Sequence, residues 1–121
     1  MAGEVAITVR SERGVVVAAV TGDIDISAVT RLRERLFELA GNGGILIVDL
    51  NRVTFIDSSG LGALIGAARR AAAHGGSLHA VCARPPTRRL LWLTGVDRLI
   101  PLAATEDGAL MFLAASRDAR G

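Results

Sequence analysis

The sequence predicts an α/β fold in which a mixed, mostly parallel sheet of about five strands is covered by about four helices. Apolar runs of strand length alternate along the chain with segments whose apolar residues recur at helical spacing. Glycine-rich breaks, such as residues 41–44, separate many of these segments. The run 45–50 is apolar on both faces, which is typical of a central parallel strand buried under helices.

The N-terminal third predicts a hairpin followed by a helix. Apolar and polar residues alternate over residues 4–10, as in a half-buried strand, and residues 14–20 form a second, more buried strand that pairs with the first. Gly22 is expected to end that strand, and residues 23–26 to form a loop. Ser27 is a typical N-cap residue, so we expect a helix from there to about residue 40.

The middle of the chain predicts a strand, a helix and another strand. The buried strand 45–50 is followed by a turn through residues 51–56. A helix begins near Ser58, with apolar residues at helical spacing, and residues 74–76 (His-Gly-Gly) end it. Residues 77–83 form the next strand.

A third helix is expected to begin at Pro85 and to end at Gly95, because proline fits the first helical turn and glycine the end. Its inward-facing residues are predicted to be Leu90, Leu91 and Leu93. Trp92, among these leucines, lies either in the core or partly exposed on the helix near a partner surface.

The C-terminal segment predicts a short strand and a last helix. The strand covers residues 98–102, and Thr105 caps the helix, whose first turn holds Glu106 and Asp107 where the helix dipole favours acidic side chains. Residues 117–121 are expected to form a flexible tail. The element order is therefore β-β-α-β-α-β-α-β-α.

Length and composition limit the function classes. The chain of 121 residues fits one domain, residues 1–121, with a core from about residue 4 to 115. No apolar run is long enough to span a bilayer and the start does not resemble a signal peptide, so we expect a cytoplasmic protein without a membrane partner. Cys82, the only cysteine, is predicted to be a buried structural thiol.

Nucleic acid is not an expected partner. The net charge is only +2, all 14 basic residues are arginine, and three Phe and one Trp are spread along the chain, which leaves few platforms for base stacking. The pairs Arg69-Arg70 and Arg88-Arg89 are expected on solvated helix faces.

The most informative segment is Thr54-Phe55-Ile56-Asp57-Ser58-Ser59-Gly60-Leu61-Gly62. Asp57 or Ser58 could be simple helix N-caps. However, Gly60 and Gly62 fall in the first turns, where each glycine destabilises a helix by about 1 kcal/mol relative to alanine. Two such residues are understandable if a partner must approach the adjacent serine closely.

Ser58 at a helix start is also a suitable position for a phosphate. Free amide groups and the helix dipole can hold an anion there. A phosphate adds about −1.5 to −2 charges beside Asp57 and Asp25, and the like charges would repel a partner surface resting on that corner.

The motif DSSGLG after a buried strand, together with GDID before the first helix, resembles the anti-sigma factor antagonists of the STAS family. The similarity extends to the ILIVDL strand and to the segment RRLLWLTGVDRLI, and it covers roughly residues 4–115. The resemblance implies a STAS-like fold and a regulatory binding protein that is not an enzyme.

The resemblance also implies specific roles. Ser58 would be the phosphoacceptor of an anti-sigma factor that is itself a serine kinase, and that kinase would bind ATP and magnesium, so this chain needs no cofactor or metal. The unphosphorylated form binds the kinase and releases a sigma factor; phosphorylation ends binding, and a phosphatase reverses it. The implied partner-binding residues are Asp23, Asp25, Asp57, Ser58, Ser59, Gly60, Leu61 and Gly62. An alternative is a STAS scaffold or small-ligand sensor without a kinase.

Enzymatic alternatives lack their motifs. Ser58 is not in the G-x-S-x-G pattern of a hydrolase, and His74 lies about 24 Å further along the helix. No lysine is present, so the phosphate-binding loop of nucleotide hydrolases is absent. One cysteine and two histidines, unclustered, do not predict a metal site.

Overall fold

A computed structural model of the chain describes residues 4–120, with side chains as far as residue 115. Within these residues the elements are, in chain order, β1 Ala6–Glu12, β2 Val15–Ile24, α1 Val29–Ala40, β3 Ile45–Ile56, α2 Ser58–Ala73, β4 Ser77–Val81, α3 Pro85–Leu93, α4 Val96–Leu99, β5 Leu102–Ala103 and α5 Glu106–Arg120.

One five-stranded sheet organises the fold, with the strand order β1-β2-β3-β4-β5. β1 pairs with β2 antiparallel, and every other pair is parallel. The predicted α/β class, the mixed sheet and the opening hairpin are therefore confirmed. Parallel neighbours require crossover helices, which place the carboxyl ends of β2, β3 and β4 along one side of the sheet.

The sheet separates two apolar cores. Helices α1 to α4 pack on one face over the larger core, which includes Leu32, Leu36, Leu50, Leu64 and Leu91. α5 alone among the described helices covers the other face, over a smaller core that includes Val15, Val17, Ile47, Val81 and Leu110. Residues of β2 and β3 alternate between the two cores, so both strands are apolar on both faces, as was predicted for β3.

Two strands extend further than the sequence predicted. β2 continues through Gly22 to Ile24, and β3 continues through the expected turn to Ile56. The two extensions pair with each other, with register shifts on either side of Thr21 and Gly22, and Gly22 adopts the left-handed conformation with φ of 100°. Gly22 therefore allows a bulge instead of ending the strand.

The start of α1 was also predicted incorrectly. Ser27 is not the N-cap; the helix begins at Val29, and Ala28 at the cap position makes no side-chain capping bond. Asp25 takes the role predicted for Ser27, because its Oδ1 accepts hydrogen bonds from Ser27 N at 3.0 Å and Ala28 N at 3.1 Å. The short aspartate side chain turns the chain before the helix begins.

The predicted strand 98–102 is wrong. Residues Val96–Leu99 form the short helix α4 after Gly95, which has a left-handed φ of 78°, and Ile100 N donates to Val96 O at 2.9 Å. Val96 and Ile100 are both buried, and their spacing of four residues suits a helical turn. Only Leu102–Ala103 remain as a strand.

The outer face of α3 also differs from the prediction. Leu91 is buried and Leu90 half-buried, but Leu93 is 62% exposed. Trp92 is 66% exposed, so the alternative of an exposed tryptophan is correct. A nine-residue helix at the edge of the core buries only one narrow stripe, which passes through Leu91.

Other predictions are confirmed. α2 begins at Ser58 and ends at Ala73 with His74 as its C-cap, Cys82 is fully buried, and Thr105 Oγ1 accepts from Gly108 N at 2.9 Å as a helix cap. No helix among residues 4–120 combines the length and apolarity needed to cross a bilayer. α5 runs to Arg120, while the side chains of residues 116–120 and all of Gly121 lie outside the described part, so the flexible tail stays a prediction.

Candidate functional site

The GDID and DSSGLG segments meet at the carboxyl ends of β2 and β3. Asp57 N donates to Ile24 O at 3.2 Å, which joins the end of β2 to the start of α2. Asp23, Asp25 and Asp57 lie at this junction, and we call them, together with Ser58, the acidic corner. Adjacent strand ends are where open α/β sheets usually carry their binding residues.

Asp57 is the N-cap of α2, and Ser58 is the first helical residue. Asp57 Oδ1 accepts from Ser59 N at 2.9 Å and from Gly60 N at 3.2 Å, and the Asp57 carbonyl accepts from Leu61 N at 3.1 Å. The two roles that the sequence left open are thus divided between neighbouring residues: Asp57 caps the helix, and Ser58 is left exposed on its first turn.

Hydrogen bonding distinguishes Ser58 from the other hydroxyl groups near the acidic corner. Ser27 Oγ donates to Asp25 at 2.7 Å, and Ser59 Oγ donates to Asp57 at 2.5 Å. Thr54 Oγ1 donates to Asp23 across the β2–β3 pair. Ser58 Oγ has no hydrogen-bond partner among the residues whose side chains are described. Its hydroxyl group is both accessible and unbonded.

The carboxylates of Asp25 and Asp57 are ionised at neutral pH. The hydrogen bond from Ser59 and those from the helix amides lower the pKa of Asp57. The hydrogen bond from Ser27 is the largest of the effects that lower the pKa of Asp25, while the nearby charge of Asp57 opposes it. Two negative charges therefore lie close together at the end of β2 and the start of α2, where Ser58 is the first helical residue.

The glycines of the motif have different surroundings. A Cβ atom on Gly60 would lie 2.6 Å from Ile24 Cγ2 and 2.8 Å from Ile56 Cγ1, whereas one on Gly62 would have no neighbour within 4 Å. Gly60 and Leu61 are buried, and Gly62 is exposed. Gly60 thus allows α2 to pack closely on the strand ends, and only Gly62 leaves open surface near Ser58.

Two apolar side chains near the acidic corner were missed by the sequence analysis. Ile26, in the loop after Asp25, is 77% exposed, and Phe55, paired in register with Asp23, is 52% exposed. The sequence placed both in loop or turn segments, where a single apolar residue gives no sign of its exposure. Exposed apolar side chains beside charged ones are typical of protein-binding surfaces.

A second charged cluster lies on the sheet face that carries α5. Arg10 donates to Glu106 at 2.5 Å and to Glu12 at 2.8 Å, and Asp49 is hydrogen-bonded to Glu106. Burial and this bond raise the pKa of Asp49 to about 6, whereas the bonds from Asp49 and Arg10 lower the pKa of Glu106. Asp49 is therefore the carboxyl group of this pair that takes up a proton as the pH falls through about 6. These residues come from three segments that are distant along the chain, so the cluster could not be predicted from local sequence.

The remaining polar groups do not form a metal-binding cluster within the described part of the chain. No three side chains of His, Cys, Asp or Glu come together as possible metal ligands. His79 is buried and contacts Ser77 Oγ at 3.0 Å, and burial lowers its pKa. His74 lies at the other end of α2 from Ser58. Neither histidine bonds to the Ser58 hydroxyl.

Comparisons with known proteins agree with this geometry. The protein-family model described as STAS domain matches residues 6–109 of this chain. The anti-sigma-B factor antagonist of Bacillus subtilis (strain 168) is 33% identical over 91 residues, which span 75% of this chain and 84% of that protein. The crystal structure of an anti-sigma factor antagonist from Mycobacterium paratuberculosis superposes with a TM-score of 0.81 at 31% identity, covering 90% of this chain and 93% of that one.

The phosphorylated form of the Bacillus cell fate determinant SpoIIAA is also similar. It has a TM-score of 0.68 at 26% identity, and the match covers 89% of this chain and 99% of that one. A family model that spans most of the chain, a similar fold and a relative one-third identical lead to one conclusion. The chain belongs to the STAS domain family.

Proposed function

We propose that this chain is an anti-sigma factor antagonist whose binding is switched off by phosphorylation of Ser58. Its partner would be an anti-sigma factor with serine kinase activity, which supplies ATP and magnesium, and a phosphatase would restore the hydroxyl. Several relatives are named as anti-sigma factor antagonists, and SpoIIAA has been solved in phosphorylated and unphosphorylated forms. Under this proposal the chain is a cytoplasmic binding protein and not an enzyme.

The observation that carries the proposal is the unbonded hydroxyl of Ser58. A kinase must place the acceptor oxygen in line with the terminal phosphate of ATP. Ser27, Ser59 and Thr54 would each have to break a hydrogen bond to a carboxylate first. Ser58 is exposed and has no such bond to lose, so it is the hydroxyl of this corner that a kinase can use directly.

A phosphate on Ser58 would change the charge of the corner more than its shape. The amides of Ser59, Gly60 and Leu61 already donate to Asp57, so they are not free to hold the new anion, contrary to the expectation from a bare helix terminus. The added charge of about −1.5 to −2 would instead face solvent and any partner, beside Asp25 and Asp57.

The surface around Ser58 suits contact with another protein. Ile26 and Phe55 offer exposed apolar area, and Asp23, Asp25 and Asp57 surround them with negative charge. Within the DSSGLG motif, Ser58 and Gly62 are exposed and can contact a partner directly. Gly60 and Leu61 are buried and pack the start of the helix against the strand ends. Ser59 acts through its hydrogen bond to Asp57.

Phosphate transfer can be tested with purified components. The chain is incubated with an anti-sigma serine kinase of its own organism, ATP and Mg²⁺, and products are measured by intact mass and peptide mapping. We expect one added phosphate, on Ser58, and none in Ser58→Ala. Ser59→Ala is the matched control, because it removes the neighbouring bonded hydroxyl and should still accept phosphate. Transfer to Ser59 or Thr54 instead, or no transfer, would favour a scaffold without a phosphorylation switch.

Binding to the same kinase separates charge from size. Ser58→Asp should weaken binding by about tenfold or more, since it adds a charge beside two carboxylates. Ser58→Asn has nearly the same shape without the charge and should bind within a few-fold of the wild type, as should Ser58→Ala. Equal loss of binding in the Asp and Asn variants would show that bulk, and not repulsion, controls the interaction.

A further inference from the structure

A cleft opens beside the start of α5, on the sheet face opposite α1 to α4. It has a volume of about 300 Å³, which is at the lower end of the range for small-molecule sites. Val15 and Val17, early in β2, are buried in the core under α5, whereas Ala19 and Thr21, further along the strand, are only half-buried. The side chains that matter for the cleft are those of Thr8, Ala19, Thr21, Asp49, Arg52 and Glu106.

Strand register places a small side chain between two polar ones on the floor of this cleft. Thr8 pairs with Ala19, and Ala19 pairs with Asp49, so three neighbouring strands present these side chains in one row. Neighbouring strands lie about 4.8 Å apart, so the backbones at Thr8 and Asp49 are about 10 Å apart. Only the methyl group of Ala19 lies between them, and the row forms a slot with a polar wall on each side.

A bulge in β3 brings Arg52 to the same face of the sheet as Asp49. Residues three apart on a regular strand point to opposite faces. These two residues pair with residues of β2 that are only two apart, so β3 contains one extra residue between them. Leu50 and Val53, their neighbours along the chain, are both buried in the main core on the other face. The carboxyl group and the guanidinium group therefore both face the cleft.

Two carboxyl groups form one part of the cleft. Asp49 is hydrogen-bonded to Glu106 and has a pKa raised to about 6, so above that pH two negative charges adjoin each other. Arg10 donates to Glu106 at 2.5 Å and to Glu12 at 2.8 Å, so its charge is divided between those two groups. A cationic group of a ligand would relieve the repulsion that remains at Asp49.

The cleft also contains donors that no group in the described part of the chain uses. The charge of Arg52 acts on both Asp49 and Glu106, yet its guanidinium group forms no hydrogen bond or ion pair with a described residue. The hydroxyl groups of Thr8 and Thr21 are also without a hydrogen-bond partner among these residues. A guanidinium group with free donors is well suited to a carboxylate, which it can bind through two parallel hydrogen bonds.

We propose that this cleft binds a small zwitterion of the α-amino acid class. The ammonium group of the ligand would lie at Asp49 and Glu106, and its carboxylate at Arg52. Successive residues on one face of a strand are about 7 Å apart. An α-amino acid spans such a distance when a hydrogen bond of about 2.8 Å is added at each charged end. The side chain of the ligand would lie over Ala19, in the slot.

The presence of both charges in one cleft selects this class of ligand. Arg52 would repel a simple amine, and the two carboxylates would repel a simple anion. The cleft shares no residue with the acidic corner. The inference does not rest on the proposed function, because ligand binding is measured without any kinase.

Titration of the isotope-labelled protein with each of the common L-amino acids, followed by amide chemical shifts, tests the proposal. Above pH 7 we expect at least one of them to bind with a Kd below about 1 mM and to shift amides around the cleft. Its N-acetyl and carboxamide derivatives each lack one charge and should bind at least about tenfold more weakly. No binding at about 10 mM of any amino acid, equal binding of the derivatives, or shifts confined to other parts of the sheet would each overturn the proposal.

Two substitutions separate the charges of the site. Arg52→Gln removes the cation and Asp49→Asn removes one carboxylate, and each should weaken binding about tenfold or more. Arg69→Gln is the matched control, because Arg69 is exposed on α2 and lies outside the cleft. It should bind within about twofold of the wild type, and circular dichroism should show all three variants folded. Unchanged affinity in both cleft variants would assign the ligand to another surface.

The pH dependence of binding gives an independent readout. The charged groups around Asp49 are Arg10 and Glu12 of β1, Arg52 of β3 and Glu106 of α5, and Asp49 is the one whose pKa is raised to about 6. Affinity should therefore fall as the pH drops below about 6 and Asp49 takes up a proton. Asp49→Asn should remove this dependence. An affinity that does not change between pH 5 and 7 in the wild type would show that the ammonium group does not bind at Asp49.

Discussion

At the scale of single residues, the two adjacent serines of the DSSGLG motif have different roles in the acidic corner. Two consecutive serines follow Asp57, yet one donates its hydroxyl to that carboxylate and the other points to solvent. The difference arises because Ser58 and Ser59, the first and second residues after the N-cap, face different directions around the first turn of the helix. Reactivity at Ser58 is thus set by the helix start and not by serine chemistry alone.

The two glycines nearest Ser58 provide a prediction at the same scale. Gly62→Ala places its Cβ in open space and removes a helical glycine, so the free energy of unfolding should rise by about 1 kcal/mol. Gly60→Ala forces its Cβ against Ile24 and Ile56, so it should destabilise the fold by about 1–3 kcal/mol. Urea unfolding measures both.

Because the two variants add the same methyl group to the same helix, each is the control for the other. Binding of Gly62→Ala to the kinase is measured separately from its stability. If the partner approaches over Gly62, the variant should bind the kinase more weakly although it is more stable. Similar stability changes in the two variants would contradict the packing seen at Gly60.

At the scale of elements, α5 is the one described helix that covers its face of the sheet. It packs over the smaller core, and polar contacts near its start connect it to the sheet: Glu106 bonds to Arg10, and Asn51 Nδ2 donates to Ala104 O at 3.1 Å. The hydrogen bond between Asp49 and Glu106, which raises the pKa of Asp49 and lowers that of Glu106, is part of the same connection. The attachment of α5 should therefore depend on pH.

The sign of that dependence follows from the raised pKa of Asp49. Folding raises this pKa from 3.8 to about 6, so the stability that protonated Asp49 provides is complete below about pH 4 and is lost as the pH rises through 6. Asp49→Asn keeps a neutral donor towards Glu106. We expect it to exceed the wild type in stability at pH 8, by on the order of 1 kcal/mol after allowing for solvent screening, and to match it near pH 4.

Chemical unfolding across this pH range, with amide exchange of α5, measures the effect. Glu106→Gln removes the second carboxylate and should reduce the same slope between pH 5 and 7. If the wild-type and Asp49→Asn profiles ran parallel, the carboxyl pair would have no role in holding α5.

At the scale of the whole molecule, the sequence predicts the order and layers of the fold better than the ends of its elements. Periodicity identifies β1 and α2 because their apolar residues repeat regularly, and a continuous apolar run identifies the first half of β3. The extensions of β2 and β3 contain Gly22 and several polar residues, so local preference indicates loops. Pairing between the two extensions decides in favour of strands, and that pairing is not visible in either segment alone.

The candidate site was predictable to a similar degree. Local sequence was enough to place Ser58 at a helix start, because capping residues and the buried strand lie within a few positions of it. The bond between Thr54 and Asp23 depends on cross-strand register, and the exposure of Phe55 depends on where the sheet ends. Contacts of this kind arise only when distant segments come together, so they require the structure.

The exposed position of Trp92 has a practical consequence. It is the only tryptophan in a chain without tyrosine, so it dominates the intrinsic ultraviolet emission, and at 66% exposure its indole ring is already largely hydrated in the native protein. Denaturant should therefore shift the emission maximum only slightly even where circular dichroism reports complete unfolding. A protein that covers α3 would dehydrate the ring and move the emission to shorter wavelength, which makes this residue a label-free reporter of docking on that helix.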